Sequence, residues 1–132
     1  MADLFKLKIM TPERDFYEGE ASMVEFTTTE GEIGIYKNHI PLTVVVAPGV
    51  LKIHEENGIR DASLISGFAE ILPERVTILA ETVEWPDEID AARAQAASDR
   101  AQKRLRESNG QIDVLRAELA LKRAQVHLSL TK

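Results

Sequence analysis

The sequence changes character once, at Trp85-Pro86, and this change limits the folds that the chain can adopt. Upstream, apolar and polar residues alternate over short stretches that Gly, Pro and Asn interrupt, which is typical of strands joined by turns. Downstream of that pair, proline is absent, Gly110 is the only glycine, and Ala, Leu, Arg and Gln are frequent, which indicates helices. The sequence therefore predicts a β-rich domain over residues 1–84 and a helical domain over residues 85–132.

The β-rich part has the pattern of a half-buried sheet. Phe5, Leu7 and Ile9 alternate with lysines, as in a strand with one buried face. Glu56-Asn57-Gly58 is the strongest hairpin signal in the chain, because a tight turn needs residues that accept positive φ. Many short strands with turn signals roughly every 8–12 residues predict an antiparallel β-sandwich or flattened barrel. With the helices that follow, the predicted fold class is α+β.

Composition excludes several classes of protein. The chain has no cysteine, which rules out disulfides and thiolate metal sites. No apolar run approaches the length of roughly 20 residues that spans a bilayer, and the chain has no signal-peptide core. We therefore expect a soluble protein. Residues 1–86 hold 7 basic and 15 acidic residues, whereas from Arg93 onward 9 basic residues face 4 acidic ones. The basic tail indicates an anionic partner, but its lack of aromatic residues disfavours nucleic acid.

The helical part is predicted to be an αα-hairpin. The first helix begins after Pro86 and runs to about Arg106, Ser108-Asn109-Gly110 forms the turn, and the second helix spans about 112–128. The pattern Ile-Asp-x-x-Arg-Ala occurs at residues 89–94 and again at 112–117. Its plain interpretation is a helix-start signal, because an acidic residue in the first turn favours the positive end of the helix dipole.

Helical phase places charged and apolar residues in separate stripes. On the first helix a seam of small residues lies beside a stripe of Arg93, Arg100 and Arg104; the seam contains Ala94, Ala97, Ala101 and Leu105. The second helix has two apolar stripes, one of Ile112, Leu115, Leu119 and Val126, the other of Ala117, Leu121, Ala124 and Leu128. Arg116, Arg123 and His127 lie beside the first of them. Two explanations stay open for the arginines, a solvated basic face or a site that holds a phosphate-bearing ligand by several Arg forks.

No residue set in the chain has the spacing of a catalytic or metal centre. His39, His54 and His127 are scattered, and no nucleophile, general base or metal cluster accompanies the arginines. We therefore expect no enzyme activity, no catalytic residues and no metal site in this chain.

The chain contains Thr-Glu-Gly-Glu-Ile-Gly-Ile-Tyr-x-x-His-x-Pro-Leu at residues 29–42, Pro-Gly-Val-Leu-Lys-Ile at 48–53, Ser66-Gly67-Phe68 and the alanine-rich hairpin. With these motifs it resembles the epsilon subunit of the F-type rotary ATP synthase, over essentially its whole length. The resemblance implies a sandwich of ten strands followed by two helices. It also implies a regulatory and structural role in a proton-translocating ATP synthase.

The resemblance further implies the partners. The sandwich would bind the gamma subunit of the central stalk, and its loops near Glu30–Glu32 and Tyr36–Pro41 would touch the membrane rotor ring, the c-ring. The hairpin would lie folded on the sandwich or extend along gamma to the alpha and beta subunits of the catalytic head, where it inhibits ATP hydrolysis. Basic residues such as Arg116, Lys122 and Arg123 would then meet acidic loops. The implied location is peripheral, at the cytoplasmic face of the bacterial cell membrane.

A subset of bacterial epsilon subunits is more similar still, because it binds ATP in the folded hairpin through an Ile/Leu-Asp-x-x-Arg-Ala motif. The matching or corresponding positions here are Ile89, Asp90, Arg93 and Ala94, then Glu84, Arg100 and Arg123. His127 stands where a relative has arginine, which implies a lower or pH-dependent affinity. ATP would thus be a regulatory ligand, with or without Mg²⁺. The alternative is a stand-alone nucleotide-sensing module without a rotor partner.

Overall fold

A ten-stranded sheet forms the first of the two units into which the chain divides, residues 1–85 and 86–132. The computed structural model describes residues 3–107 and 111–131, and the side chains of all of these except 111–113. In chain order the strands are β1 (Phe5–Met10), β2 (Asp15–Ala21), β3 (Met23–Thr28), β4 (Gly31–Ile35), β5 (Leu42–Val46), β6 (Gly49–Glu55), β7 (Gly58–Leu64), β8 (Gly67–Leu72), β9 (Arg75–Ala80) and β10 (Val83–Glu84).

Period-two burial explains why these segments are strands. Buried and accessible residues alternate along β1, β3 and β9, so each strand turns one face to the core. The buried faces meet in a single apolar core, whose largest fully buried side chains are Phe26, Leu7, Ile9, Ile35, Leu51, Ile53, Leu64, Ile71 and Ile78. The predicted sandwich is confirmed.

The strands are ordered β10-β7-β6-β3-β5-β8-β9-β1-β2, and β4 pairs with β3 outside this path. One pair departs from the antiparallel expectation, since β1 runs parallel to β9. These two strands lie at opposite ends of the sheet-forming sequence, so no hairpin forces them to be antiparallel. The predicted hairpin between β6 and β7 is present, but the positive φ falls on Gly58 rather than on the two turn residues before it.

Gly67, at the start of β8, lies unusually close to the backbone of the neighbouring strand β9. Its φ is +140°, a conformation that residues with a side chain rarely adopt. A Cβ at this position would overlap the backbone carbonyl of Leu79 on the neighbouring strand β9. Glycine is therefore required here for two separate reasons.

The two ends of the strand order are joined by side chains. Phe16 on β2 stacks on Trp85, the residue after β10, with ring centroids 4.3 Å apart. The Tyr17 hydroxyl donates a hydrogen bond of 2.6 Å to Glu55 at the end of β6. The Arg60 guanidinium carbon lies 3.9 Å from the Trp85 ring centre, a cation–π contact. Aromatic contacts thus bring the end strands together where no strand pair is recorded among the described residues.

The second unit is the predicted αα-hairpin, with a short 3₁₀ turn (Pro86–Glu88), α1 (Ala91–Glu107) and α2 (Gln111–Ser129). The prediction that α1 begins directly after Pro86 is wrong. Asp90 caps the helix, so Asp87 and Glu88 precede α1 and lie in the 3₁₀ turn. The predicted turn at residues 108–110 lies outside the described residues.

The two helices pack through small residues. Ala94, Ser98 and Ala101 are buried on α1, and Ala117 and Ala124 on α2. The predicted seam missed Ser98, whereas Ala97 and Leu105 are only half-buried. Small residues at a helix–helix contact let the two backbones approach more closely than large ones would.

Candidate functional site

The motif Ile-Asp-x-x-Arg-Ala at residues 89–94 forms the start of α1. Asp90 Oδ1 accepts a hydrogen bond of 3.0 Å from the backbone N–H of Arg93, and its carbonyl accepts one of 3.0 Å from Ala94. This is the geometry of an N-cap, which satisfies N–H groups that the first turn leaves unpaired. The helix-start interpretation of the first motif copy is therefore correct. The cap also fixes the position of Arg93 in the first turn of α1.

Each of four arginines on the hairpin directly precedes a buried alanine. Arg93 and Arg100 precede Ala94 and Ala101 on α1, and Arg116 and Arg123 precede Ala117 and Ala124 on α2. The spacing is seven residues on both helices, so each pair of arginines shares one helical face. All four arginines are exposed.

The antiparallel arrangement puts these arginines on the same side of the hairpin. Consider the plane that contains the axes of two antiparallel helices. A rotation of 180° about an axis perpendicular to this plane places one helix on the other. This rotation does not move any side chain from one side of the plane to the other. Residues that occupy the same position relative to the seam on both helices therefore share a side. We call this surface the arginine face: Arg93, Arg100, Arg116 and Arg123.

Within the described part of the chain, none of these four arginines forms an ion pair with a carboxylate. The arginine face therefore concentrates four positive charges that form no ion pair with any carboxylate whose side chain the structure describes. Guanidinium groups bind phosphate through two parallel hydrogen bonds, so several of them on one surface can hold an oligophosphate.

The remaining predicted ATP ligands lie at different places. Ile89 is half-buried between the 3₁₀ turn and α1, and its N–H bonds the Pro86 carbonyl at 3.3 Å. Ala94 belongs to the buried seam. His127 is half-buried one turn after Arg123 on α2. Glu84 ends β10 in the sheet unit. Asp90 thus caps α1, Arg93, Arg100 and Arg123 belong to the arginine face, and the ligand roles of all eight residues stay predictions.

The sheet unit has a second notable surface, which the sequence patterns did not predict. Val45, Phe68 and Leu79 face each other across β5, β8 and β9 in one register, and their side chains are 46%, 56% and 51% exposed. We call these three residues the apolar row. Met10 on β1 continues it beside Leu79. The only sign in the sequence is that each is a large apolar residue at the outward position of its strand.

The segment between β4 and β5 is a third exposed feature. Tyr36 and Ile40 are 61% and 73% exposed, and Asn38 has a φ of +68°. The Asn38 N–H donates a 2.6 Å hydrogen bond to the carbonyl of Pro73 in the turn between β8 and β9. This bond anchors the middle of the segment while its two large apolar side chains point to solvent.

In the part of the chain that the structure describes, His, Asp and Glu side chains nowhere gather in a group of three that could hold a metal ion. No helix of the described ranges has the length and apolar character that a membrane crossing requires.

Comparison with known proteins identifies the family. The family of the ATP synthase delta/epsilon chain beta-sandwich domain matches residues 4–86, and that of the delta/epsilon chain long alpha-helix domain matches residues 87–132. The chain belongs to the ATP synthase epsilon chain family. The epsilon chain is a non-catalytic subunit of the F-type ATP synthase central stalk, so the expectation of a protein without its own catalytic site is confirmed.

Bacterial epsilon chains match along the whole sequence. The ATP synthase epsilon chain of Caldanaerobacter subterraneus subsp. tengcongensis is 45% identical over 131 residues, which cover 98% of this chain and 95% of the relative. That of Ruminiclostridium cellulolyticum is 41% identical over 127 residues, covering 96% and 95%.

Solved structures confirm the fold. A chain in the Euglena gracilis mitochondrial ATP synthase assembly of OSCP, F1 and c-ring superposes with a TM-score of 0.82 at 22% identity, covering 96% of this epsilon chain and 79% of that chain. A chain of the Tetrahymena thermophila central stalk and c-ring superposes at 0.65 and 15% identity, covering 99% and 98%.

Proposed function

We propose that this epsilon chain couples the rotor of a proton-translocating ATP synthase to its catalytic head, and that its hairpin inhibits ATP hydrolysis except when ATP holds it folded. The observation that carries this proposal is the arginine face, four exposed guanidinium groups on one side of the hairpin that form no ion pair within residues 3–107 and 114–131. The match of the whole chain to epsilon chains supports the rotor role.

The apolar row is proposed as the surface that binds the gamma subunit. Large apolar side chains that are about half exposed and lie side by side on adjacent strands mark a contact surface more often than isolated ones do. Strands are about 4.8 Å apart, so the row with Met10 extends roughly 14 Å across the sheet. That length suits contact with a helix of a partner laid across the strands.

The segment from Tyr36 to Pro41 is proposed to meet the c-ring. Ile40 is 73% exposed, and the bond from Asn38 to Pro73 holds the segment in place. An anchored segment with exposed apolar side chains transmits force better than a loose loop does. The region Glu30–Glu32 is proposed to contribute to the same contact, and this would place the subunit at the periphery of the bacterial cell membrane, on its cytoplasmic face.

The arginine face is proposed as the ATP site, with Arg93, Arg100 and Arg123 as phosphate ligands. ATP would bring its own Mg²⁺ if a metal takes part. An ATP molecule that contacts arginines from both helices binds the folded hairpin and cannot bind separated helices. Such a ligand stabilises the folded state by about 2.7 kcal/mol when its concentration is a hundred times Kd. The resemblance adds Glu84, Ile89, Asp90, Ala94 and His127 to the proposed site.

The inhibitory contact is proposed to use the apolar stripe of α2 that contains Leu115 and Leu119. Leu115 and Leu119 are 59% and 45% exposed, whereas Ala117 and Ala124 of the other stripe are buried. The structure therefore leaves one apolar stripe of α2 open to solvent at these positions. In the extended state this stripe would pack on gamma or on the alpha and beta subunits of the head.

The test is isothermal titration calorimetry of the full chain with ATP. Arg93→Ala, Arg100→Ala and Arg123→Ala should each weaken binding by about tenfold or more, since a hydrogen bond to a charged group contributes about 1.5–3 kcal/mol. Arg106→Ala is the matched control, because this exposed arginine of α1 lies outside the arginine face. Absence of ATP binding by the unmodified chain at millimolar concentration would refute the ligand role. Failure of the chain to co-purify with gamma would instead favour the stand-alone module.

A further inference from the structure

The turn between β6 and β7 joins an asparagine to a glycine. Glu56 and Asn57 form this turn, Gly58 begins β7, and all three residues are exposed. The chain has two more asparagines. Asn38 precedes a histidine, and the second Asn-Gly pair, at residues 109–110, lies outside the described part of the chain. Asn57 is therefore the one described asparagine that a glycine follows.

An asparagine before a glycine loses its side-chain amide without an enzyme. The glycine nitrogen attacks the side-chain carbonyl carbon, and the new C–N bond closes a five-membered succinimide ring. The amide group takes the proton of that nitrogen and leaves as ammonia. One water molecule then opens the ring at either carbonyl, which gives aspartate or isoaspartate. In isoaspartate the main chain passes through the side-chain carboxyl carbon and is one carbon longer.

The surroundings of Asn57 leave this reaction unobstructed. Gly58 has no side chain to shield its nitrogen, and beyond the adjacent residues no atom lies within 4 Å of the position that a Cβ would take. In the part of the chain that the structure describes, the Asn57 side chain has no hydrogen-bond partner that would hold its amide. Gly58 pairs with Glu55 at the end of the ladder, where local opening costs least and frees the nitrogen.

Asn38 provides the internal comparison. It too is exposed, in the segment between β4 and β5. A histidine with its ring follows it, and the Asn38 N–H donates to the Pro73 carbonyl at 2.6 Å, which holds its backbone in place. We therefore expect Asn57 to react well before Asn38.

The strands that leave the turn carry side chains that close the sheet. Glu55, directly before the turn, accepts the hydrogen bond from Tyr17 on β2. Arg60 on β7 lies 3.9 Å from the Trp85 ring centre and 4.0 Å from Glu55. Phe16 stacks on the same indole ring at 4.3 Å. Two groups this close to the ring centre cannot share one face, so the indole is enclosed between β2 and β7.

The length of the turn sets the position of Arg60 relative to Glu55. Glu55 pairs with Gly58 and Ile53 with Arg60, so the short connection fixes this register. An added main-chain carbon does not fit a tight turn, because the length of a hairpin loop selects its geometry. Aspartate at residue 57 adds a negative charge but keeps the length of the main chain.

We propose that Asn57 is a site of spontaneous deamidation, and that isoaspartate formed there weakens the side-chain closure between β2 and β7. Aspartate formed at the same position leaves the closure intact, because the turn keeps its length. This chemistry depends on neither a gamma partner nor ATP, and it needs only water as a co-reactant.

The first test ages the purified full chain in warm, mildly alkaline buffer. Peptide mass spectrometry measures deamidation at each asparagine, and an isoaspartate-specific methyltransferase measures isoaspartate. We expect Asn57 to react at least about tenfold faster than Asn38, which corresponds to about 1.4 kcal/mol in activation free energy. Asn57→Gln should remove the reaction at this position, because the longer side chain does not close a five-membered ring. Equal rates at Asn57 and Asn38 would overturn the site.

The second test separates chain length from charge. Chromatography isolates the isoaspartate form, and Asn57→Asp is the matched control, since it has the same charge and an unaltered main chain. We expect hydrogen exchange of the β2 amides to be about tenfold faster in the isoaspartate form than in Asn57→Asp, or about 1.4 kcal/mol in opening free energy. Fraying of the β6–β7 hairpin alone leaves β2 unchanged, because β2 is distant from the turn in sequence and pairs with β1. Equal β2 exchange in the two proteins would refute the effect on closure and leave the deamidation site standing.

Discussion

Replacing Gly67 by alanine should destabilise the sheet more than the same change at any other glycine with positive φ. Alanine at a φ of +140° carries backbone strain of about 1–3 kcal/mol. The new Cβ would also overlap the Leu79 carbonyl and approach the Ala80 Cα to 2.9 Å, and these are backbone atoms of β9 that are held by the strand ladder. Overpacking of this kind costs typically 1–3 kcal/mol, so the total is about 2–6 kcal/mol.

Gly58 provides the matched control. Its φ is +145°, but nothing lies within 4 Å of a Cβ built there, so Gly58→Ala carries the backbone strain alone. Urea unfolding followed by far-ultraviolet circular dichroism measures both free energies, and hydrogen exchange of the β8 and β9 amides locates the loss. Gly67→Ala should be the less stable by about 1–3 kcal/mol. Equal costs at the two positions would show that contact with β9 contributes nothing.

Three further predictions concern other parts of the molecule. Burial, and then the hydrogen bond to Glu55, raise the pKa of Tyr17 above its ordinary value, so this tyrosine contributes stability that is complete below about pH 10 and is lost as the pH rises further. The free energy of unfolding from urea titrations should therefore fall more steeply with pH above pH 10 for the unmodified chain than for Tyr17→Phe, by up to about 1.4 kcal/mol per pH unit; parallel curves would contradict this. Asp90→Ala should destabilise the hairpin by about 1 kcal/mol in thermal melting and Asp90→Asn by much less, because asparagine also caps helices; equal losses would mean that the cap is unimportant. Phe68→Glu should abolish co-purification with gamma while Ile59→Glu, at an exposed position of β7 outside the apolar row, leaves it intact; the opposite result would place the interface elsewhere than on the apolar row.

The sequence predicted those features that local patterns determine. Alternating burial in β1, the turn before Gly58 and the two helices all follow from residues that are near one another in the chain. The parallel pairing of β1 with β9 could not be predicted this way. These strands are far apart in the sequence, and no turn connects them directly. From the sequence, the start of α1 was placed too early, because the acidic residues at 87 and 88 resemble a first helical turn. The helix begins after its cap, Asp90.

The arginine face was only partly predictable. Helical spacing put Arg93 and Arg100 on one stripe, but the relation of that stripe to α2 depends on which residues form the seam. Ser98 was overlooked in the seam because serine carries no hydrophobic signal, although at 4% exposure it is as buried as the alanines. The apolar row was missed for a related reason, since an alternating pattern does not tell which outward apolar residues stand side by side on neighbouring strands.

Trp85 gives the closure of the sheet an intrinsic optical reporter. It is the only tryptophan of the chain, its ring stacks on Phe16, and Arg60 covers it. Separation of β2 from the end of β10 would expose the indole to water and alter its emission. Tryptophan fluorescence of the unlabelled protein therefore reports whether β2 stays packed against Trp85, one residue before the helical unit begins. The same measurement works in every variant that keeps Trp85.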